Sequence, residues 1–225
     1  MDSKELLILV ATMTGTALMA AEDIAEYCND NDINTTITEM DNANINILID
    51  NKLPVLICSS TYGQGDVPDP AQEFYNDLKE SSPNLSHIKY AVFGLGDMTY
   101  RDTFAYGGKK FSDLLDSLNA TKIGKPFYHD ASDGSLPEEV AVEWFINNIK
   151  DKIWIYWFSM NKINNEKYNA AYDLINRNIL SNPDKIAFID NNNKITYNEL
   201  FIKVKTFAQS IRNIDINPND RVLVC

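Results

Sequence analysis

The 225-residue sequence predicts an α/β protein built on a doubly wound parallel sheet, followed by a small, incomplete α+β segment. Three observations predict it. Apolar, strand-like runs alternate five times with helix-spaced segments within residues 1–150, the rhythm of a parallel sheet covered by helices on both faces. The first run, LLILVA at 6–11, is apolar without alternation, as a strand buried on both faces must be. The loops after the first, third and fourth runs are the stretches richest in Gly, Thr, Tyr and Asp, and ligands of such sheets bind beyond the carboxyl ends of the strands.

The elements follow in order. After the strand at 6–11, residues 16–29 form a helix, because small or apolar residues recur at Ala17, Ala21, Ile24, Ala25 and Cys28. Residues 35–39 are a second strand and residues 54–59 (PVLICS) a third. A helix over 71–79 opens on Asp69-Pro70, with the aspartate as cap and the proline in the first turn. Residues 89–94 (KYAVFG) are the fourth strand, and a helix covers 106–118. The fifth strand, 123–128, is interrupted by Gly124 and Pro126. A last helix spans 137–149, with Glu138 and Glu139 in its first turn, where the dipole favours acids.

Residues 1–150 are thus one domain and 151–168 a linker in which Trp154, Tyr156, Trp157 and Phe158 crowd together. Unburied, such a cluster would dock, self-associate or aggregate. Residues 169–225 form a separate fragment: a helix over 169–180, strands over 185–190 and 194–196 joined by an NNN turn, and a second helix. A capping box of Thr196 and Glu199 opens that helix, with Leu200, Val204, Phe207, Ala208 and Ile211 on one face. The chain ends on an apolar RVLVC with little after it to finish a sheet.

The net charge is −12, unevenly spread: residues 1–150 carry 24 acidic against 10 basic residues, the remainder 8 against 10. The acidic part repels nucleic acid and anionic lipid, and it either steers a basic protein partner or simply aids solubility. No apolar run approaches the ~20 residues of a membrane span, and the N-terminus lacks the pattern of a signal peptide. Three widely spaced cysteines form neither a disulfide framework nor a zinc site, and they suit a reducing cytoplasm.

The chemistry lies in the three loops. T-M-T-G-T-A (12–17) joins a buried strand to a helix and lacks any cation. A helix start binds phosphate through its free N–H groups and partial positive charge. Gly15 permits close approach, and Thr12, Thr14 and Thr16 add hydroxyls. Neither G-x-x-x-x-G-K-[ST] nor G-x-G-x-x-G is present, so a terminal monophosphate fits better than a nucleoside triphosphate or a dinucleotide; a ligand-free Thr/Gly cap is the alternative. The second loop, S-S-T-Y-G-Q-G-D-V-P-D (59–69), offers a ring and flexible amides to a flat aromatic ligand, or is an ordinary surface turn. The third, at 94–108, offers Tyr100, with Phe104 and Tyr106 read from the residues alone as helix-face core.

Together these loops, with His129-Asp130-Ala131-Ser132-Asp133-Gly134 before an acidic helix ending in Trp144-Phe145, resemble a flavodoxin-type FMN module over about residues 4–148. Short flavodoxins and the FMN domains of diflavin reductases such as sulfite reductase flavoprotein are the nearest types. The resemblance implies a five-stranded sheet of order 2-1-3-4-5, of which flavodoxin is itself the standard example. It implies that Thr12, Thr14, Gly15, Thr16 and Ala17 hold the FMN phosphate, with Ala17 standing where many members have a hydroxyl. Ser60, Thr61, Tyr62, Gly63, Gln64 and Gly65 would line the isoalloxazine, and Gly63 would turn its carbonyl toward the flavin nitrogen that takes up a proton on reduction. Gly94, Leu95, Gly96, Asp97, Tyr100 and Phe104 would close the other side, with Tyr100 stacked on the ring.

The implied role is a carrier of single electrons between a separate reductase, of NADPH-dependent flavoprotein or ferredoxin type, and an acceptor protein with a basic docking surface. No catalytic residue or metal ligand is assigned. A diflavin enzyme would continue into an NADPH/FAD module, which this chain does not contain. Residues 169–225 resemble the first sixty or so residues of an adenylate-forming acyl- or aryl-CoA ligase of benzoate type. They stop before that family's ATP loop and lysine, so no ligase activity is expected. The rival readings are a flavodoxin-like interaction or regulatory domain without flavin, alone or at the front of such a ligase. A receiver-type domain would need an acid pair after the first strand, where Ala11-Thr12 offers none.

Overall fold

The apolar run near the N-terminus forms β1 (Lys4–Ala11), buried on both faces as its composition requires. Leu6, Ile8 and Val10 enter one hydrophobic core, and Leu7, Leu9 and Ala11 enter a second on the opposite face. The architecture is that of a computed structural model describing residues 4–153, 170–189 and 193–212. β1 pairs in parallel with β2 (Ile33–Glu39) and β3 (Val55–Ser59), and β3 pairs with β4 (Lys89–Gly96). The strand order is β2-β1-β3-β4-β5, the doubly wound order expected.

The fifth strand is split. β5 (Thr121–Lys122) pairs with Lys89–Tyr90, and β6 (Phe127–Asp130) pairs with Phe93–Gly96. The expected strand over 123–128 is therefore broken at 123–126: Gly124 takes a φ of +68°, and Pro126 has no N–H for the ladder. The split displaces strand pairing toward His129 and Asp130, which join the sheet.

Two helices cover each face. α1 (Thr16–Asn29) and α5 (Pro137–Trp144) pack on the first core; α3 (Gln72–Ser81) and α4 (Tyr106–Ser117) pack on the second. A short α2 (Asn46–Ile49) and a 3-10 turn at Met40–Asn42 bury Leu48 and Met40 against that second core, in a stretch too short to show a periodicity. Asp69 does not cap α3. It sits inside a 3-10 turn, Asp69–Ala71, that precedes the helix, and its side chain makes no cap bond. α5 does not run unbroken to residue 149: a π-helical turn at Phe145–Ile149 follows it, and helix continues over 150–153. Phe145, Ile149 and Ile153 all lie in the first core. There Phe93 stacks on Phe127 at 5.7 Å and 4° and lies 5.6 Å from Trp144.

The chain divides into two units, Met1–Asn161 and Lys162–Cys225. The aromatic cluster at 154–158 and the final RVLVC lie outside the described residues. Within the second unit a helix (Ala170–Ser181) precedes an antiparallel hairpin, Ile186–Ile189 with Lys194–Thr196, and a second helix (Tyr197–Arg212). The capping box forms in full: Glu199 Oε2 accepts the Thr196 N–H at 2.8 Å, and the Glu199 N–H donates to Thr196 Oγ1 at 3.2 Å. Phe188 and Phe207 remain 61% and 66% exposed, so this unit buries its hairpin and second helix incompletely.

Burial raises the thiol pKa of Cys28 to about 12, a nearby Lys150 opposing it only in part, and raises that of Cys58 further. Because only the thiolate is reactive, iodoacetamide at about pH 8 should modify neither residue in the folded protein and both in denaturant. Peptide mass mapping reads this directly, and native-state labelling of Cys58 would contradict the buried third strand.

Candidate functional site

The loops after β1, β3, β4 and β6 converge at the carboxyl edge of the sheet around a cavity of ≈ 500 Å³, within the ~300–1,000 Å³ typical of cofactor sites. α1 supplies its first wall. Its first backbone bond runs from the Met19 N–H to the Gly15 carbonyl, so the amides of Thr16, Ala17 and Leu18 have no intrahelical acceptor. Gly15, in the left-handed region at φ 88°, is the cap position, and no side chain caps the first amides of the helix. Thr12 instead accepts the Gly15 N–H at 3.0 Å; its hydroxyl shapes the loop. Thr14 and Thr16 line the cavity. The Ala17 methyl is buried in the first core, so only its N–H is left for a ligand.

The loop after β3 is a closed knot. Tyr62 and Asp66 exchange backbone bonds of 2.9 and 2.7 Å, which the left-handed Gly63 and Gly65 permit. The Lys110–Asp66 ion pair at 2.7 Å ties the knot to α4. Thr61 links two loops: its hydroxyl donates to the Leu95 carbonyl at 2.9 Å and accepts the Gly107 N–H at 3.1 Å. Ser60, Thr61, Tyr62 and Gly63 line the cavity. Gln64 is exposed, and Gly65 is buried against Thr103 and Tyr106; neither belongs to the cavity wall.

From β4 come Leu95 and Gly96, and from the loop beyond it Asp97, Tyr100 and Thr103. Asp97 Oδ1 accepts the Thr99 N–H at 2.8 Å and caps the 3-10 turn Met98–Thr103, which carries Tyr100. Tyr62 and Tyr100 are 44% and 67% exposed, free to stack on an incoming ring. Gly94 lies instead against the Tyr128 ring and Gly108, and Phe104 lies under the Lys109 ammonium. Neither lines the cavity, and the helix-face core reading fails too: Phe104 is half-buried just beyond the 3-10 turn, outside α4, and Tyr106 is 40% exposed at the start of α4.

The fourth wall, His129, Ala131, Ser135 and Pro137, together with Thr103, was missed as a set of site residues. The H-D-A-S-D-G stretch was the available signal, but the strand break hid its place at the sheet's edge. Asp130 Oδ1 accepts the N–H groups of Met98 at 2.8 Å and Ser132 at 3.0 Å, fastening this loop to the one after β4. Asp133 Oδ1 accepts a hydrogen bond from the Ser135 hydroxyl at 2.5 Å. Ser135 Oγ then accepts from His129 Nε2 at 2.9 Å, which places the proton on that nitrogen. His129 Nδ1 is left buried without a partner among the described residues.

A flavodoxin family model matches residues 8–144. The chain belongs to the flavodoxin family. It is similar to the flavodoxin YqcA of Escherichia coli, 32% identical over 140 residues that cover 62% of this chain and 93% of that protein. It also resembles NADPH–cytochrome P450 reductase of Cavia porcellus, 38% identical over 130 residues, 56% of this chain but only 18% of the reductase. The NADPH-dependent diflavin oxidoreductase 1 of Dictyostelium discoideum aligns at 28% identity with 96% of this chain and 35% of its own length. Among solved structures, a cysteine-to-serine mutant of flavodoxin from Pseudomonas aeruginosa overlays with a TM-score of 0.57 at 26% identity, covering 63% of this chain and 94% of its own.

Flavodoxins are FMN proteins, and the cavity of this flavodoxin domain fits that cofactor. An uncapped helix start flanked by Thr14 and Thr16 suits a phosphate, two exposed tyrosines suit a flat ring, and the unpaired His129 nitrogen belongs to a polar wall. Among the described residues, Asp97 is the one acidic residue of the lining, which includes no lysine or arginine. Any phosphate held there is held by amides and hydroxyls, as at other helix starts.

The Met98 amide, then Ser132, hold the Asp130 carboxyl below its ordinary range. A depressed folded value means that this group's contribution is complete above about pH 4 and is lost as pH falls through the folded value. Asp130→Asn should therefore flatten the acid limb of a thermal-stability profile below about pH 4, while changing the neutral limb less. An unaltered acid limb would show that the carboxylate does not fasten the two loops.

Proposed function

We propose that the protein is an electron carrier of the cytoplasm that holds FMN in this cavity. It would accept electrons from a separate NADPH-dependent flavoprotein or ferredoxin-type reductase and pass them to an acceptor with a basic docking face. One observation carries the reading: a helix start without a side-chain cap and two exposed tyrosines open onto one cavity at the carboxyl edge of the sheet. The names of the reductase relatives support an NADPH-linked supply of electrons. They also favour redox work over a flavin-free interaction domain. Among the described residues no helix is long and apolar enough to cross a membrane.

FMN, when bound, supplies reversible one-electron exchange. The chain's own residues do the rest. Amides of Thr16, Ala17 and Leu18, with the Thr14 and Thr16 hydroxyls, grip the phosphate. Tyr62 and Tyr100 cover the ring and exclude water. Gly63, at φ 54°, where an added side chain would touch Asp66 Oδ2 at 3.8 Å, would let its peptide turn so that its carbonyl could accept a hydrogen bond from a ring N–H at small conformational cost. The acidic balance of residues 1–150 opposes further negative charge in the site and draws a basic partner to it.

The apoprotein should quench flavin fluorescence on titration with FMN and melt at a higher temperature when saturated. Tyr62→Ala and Tyr100→Ala should each raise Kd about tenfold, from the loss of one stacking face. Wild-type protein that ignores FMN, or a double alanine variant with undiminished affinity, would reject the reading. Electron transfer from the reduced protein to a basic haem protein should slow steeply between low and ~0.15 M salt. A rate insensitive to salt would remove the basic partner from the proposal.

A further inference from the structure

Lys109 stands one turn into α4 in an acidic domain, yet among the described residues it forms no ion pair. Its Nζ donates to the Phe104 carbonyl at 2.6 Å. It also sits 5.2, 5.0 and 5.4 Å from the ring centres of Phe104, Tyr106 and Tyr128. One ammonium thus joins three segments: the end of the loop after β4, the start of α4 and strand β6.

Between Phe104 and Tyr106 lies Ala105, fully buried, with φ 53° and ψ 27°. A non-glycine residue in the left-handed region is strained and persists only where its surroundings over-determine it. Two contacts do so here. The Ala105 carbonyl accepts the Lys109 N–H at 3.1 Å, and the Ala105 nitrogen presses so closely on Gly96 that a side chain there would meet it at 2.4 Å. Gly96 is itself cavity wall, as are Asp97, Tyr100 and Thr103 in the loop leading to this bend.

We propose that Lys109 is a positioning residue: an ammonium latch that holds the left-handed bend at Ala105 and, through it, the cavity wall that carries Tyr100. A surface lysine gains most by reaching into water. This one gives up part of its hydration for three aromatic faces and one carbonyl, and cation–π attraction strengthens as the site dries. The latch touches no ligand. Its bearing on flavin rests on the FMN reading above, whereas its bearing on the loop does not.

The test has two arms on the full chain. In apoprotein, hydrogen exchange of amides 97–105 should accelerate in Lys109→Met, which keeps the stem and loses the charge, and stay near wild type in Lys109→Arg. In fluorescence titration, Lys109→Met should weaken FMN binding about tenfold and Lys109→Arg by less than about threefold. Ala105→Gly, which takes the bend without strain, should recover part of the loss in the Lys109→Met background. Unchanged exchange over 97–105 in Lys109→Met, equal losses in the Met and Arg variants, or no recovery with Ala105→Gly would overturn the latch. A wild-type protein that does not bind FMN would overturn the proposed function and leave the exchange arm to judge the latch alone.

Discussion

Burial of β1 on both faces is the constraint from which the rest follows. A strand with apolar side chains in both directions cannot face water on either side, so helices must cover the sheet front and back. Here the covering helices are the crossover connections that parallel strands need, and such crossovers are right-handed. Parallel strands end on one edge. The loops that leave β1, β3, β4 and β6 are therefore brought together there although up to roughly 120 residues separate them. The cavity is a consequence of how the core is buried.

At that edge the chain uses its polar groups in two ways. Some tie loops to one another: Thr61 between Leu95 and Gly107, Asp130 between Met98 and Ser132, and Lys110 on Asp66. Others line the cavity: Thr14 and Thr16 at the start of α1, and Tyr62 and Tyr100. The fastened set keeps the open set in place, as a preformed binding site needs, since groups already ordered lose little freedom when a ligand arrives. Among the described residues the lining carries no lysine or arginine, so an anion there would meet amide dipoles fixed by a helix and no mobile cationic side chain.

Several residues changed part once the chain was folded. Thr12 and Thr16 are both threonines of one loop, yet the Thr12 hydroxyl accepts the Gly15 N–H while Thr16 lines the cavity. Gly94 and Gly96 are two residues apart on β4, and only Gly96 reaches the site; Gly94 makes room for Tyr128. Gln64 and Gly65 share a loop with Tyr62 and lie outside the wall, because the Tyr62–Asp66 knot turns them away. His129 entered the site because the broken fifth strand re-paired with β4 beyond the break.

The sequence by itself determined the alternation of strands and helices, the burial of β1, the three loops richest in polar and aromatic residues, and the capping box of Thr196 and Glu199. Each of these is a local property, set by periodicity, composition or a spacing of three residues, and survives whatever the rest of the chain does. Only the tertiary structure decided which threonines of the first loop line the cavity, where the fifth strand breaks, that a π turn follows α5, and that Lys109 collects three rings. Those outcomes depend on groups far apart in the chain competing for the same space and the same hydrogen bonds, and a linear pattern contains no record of which competitor is nearer.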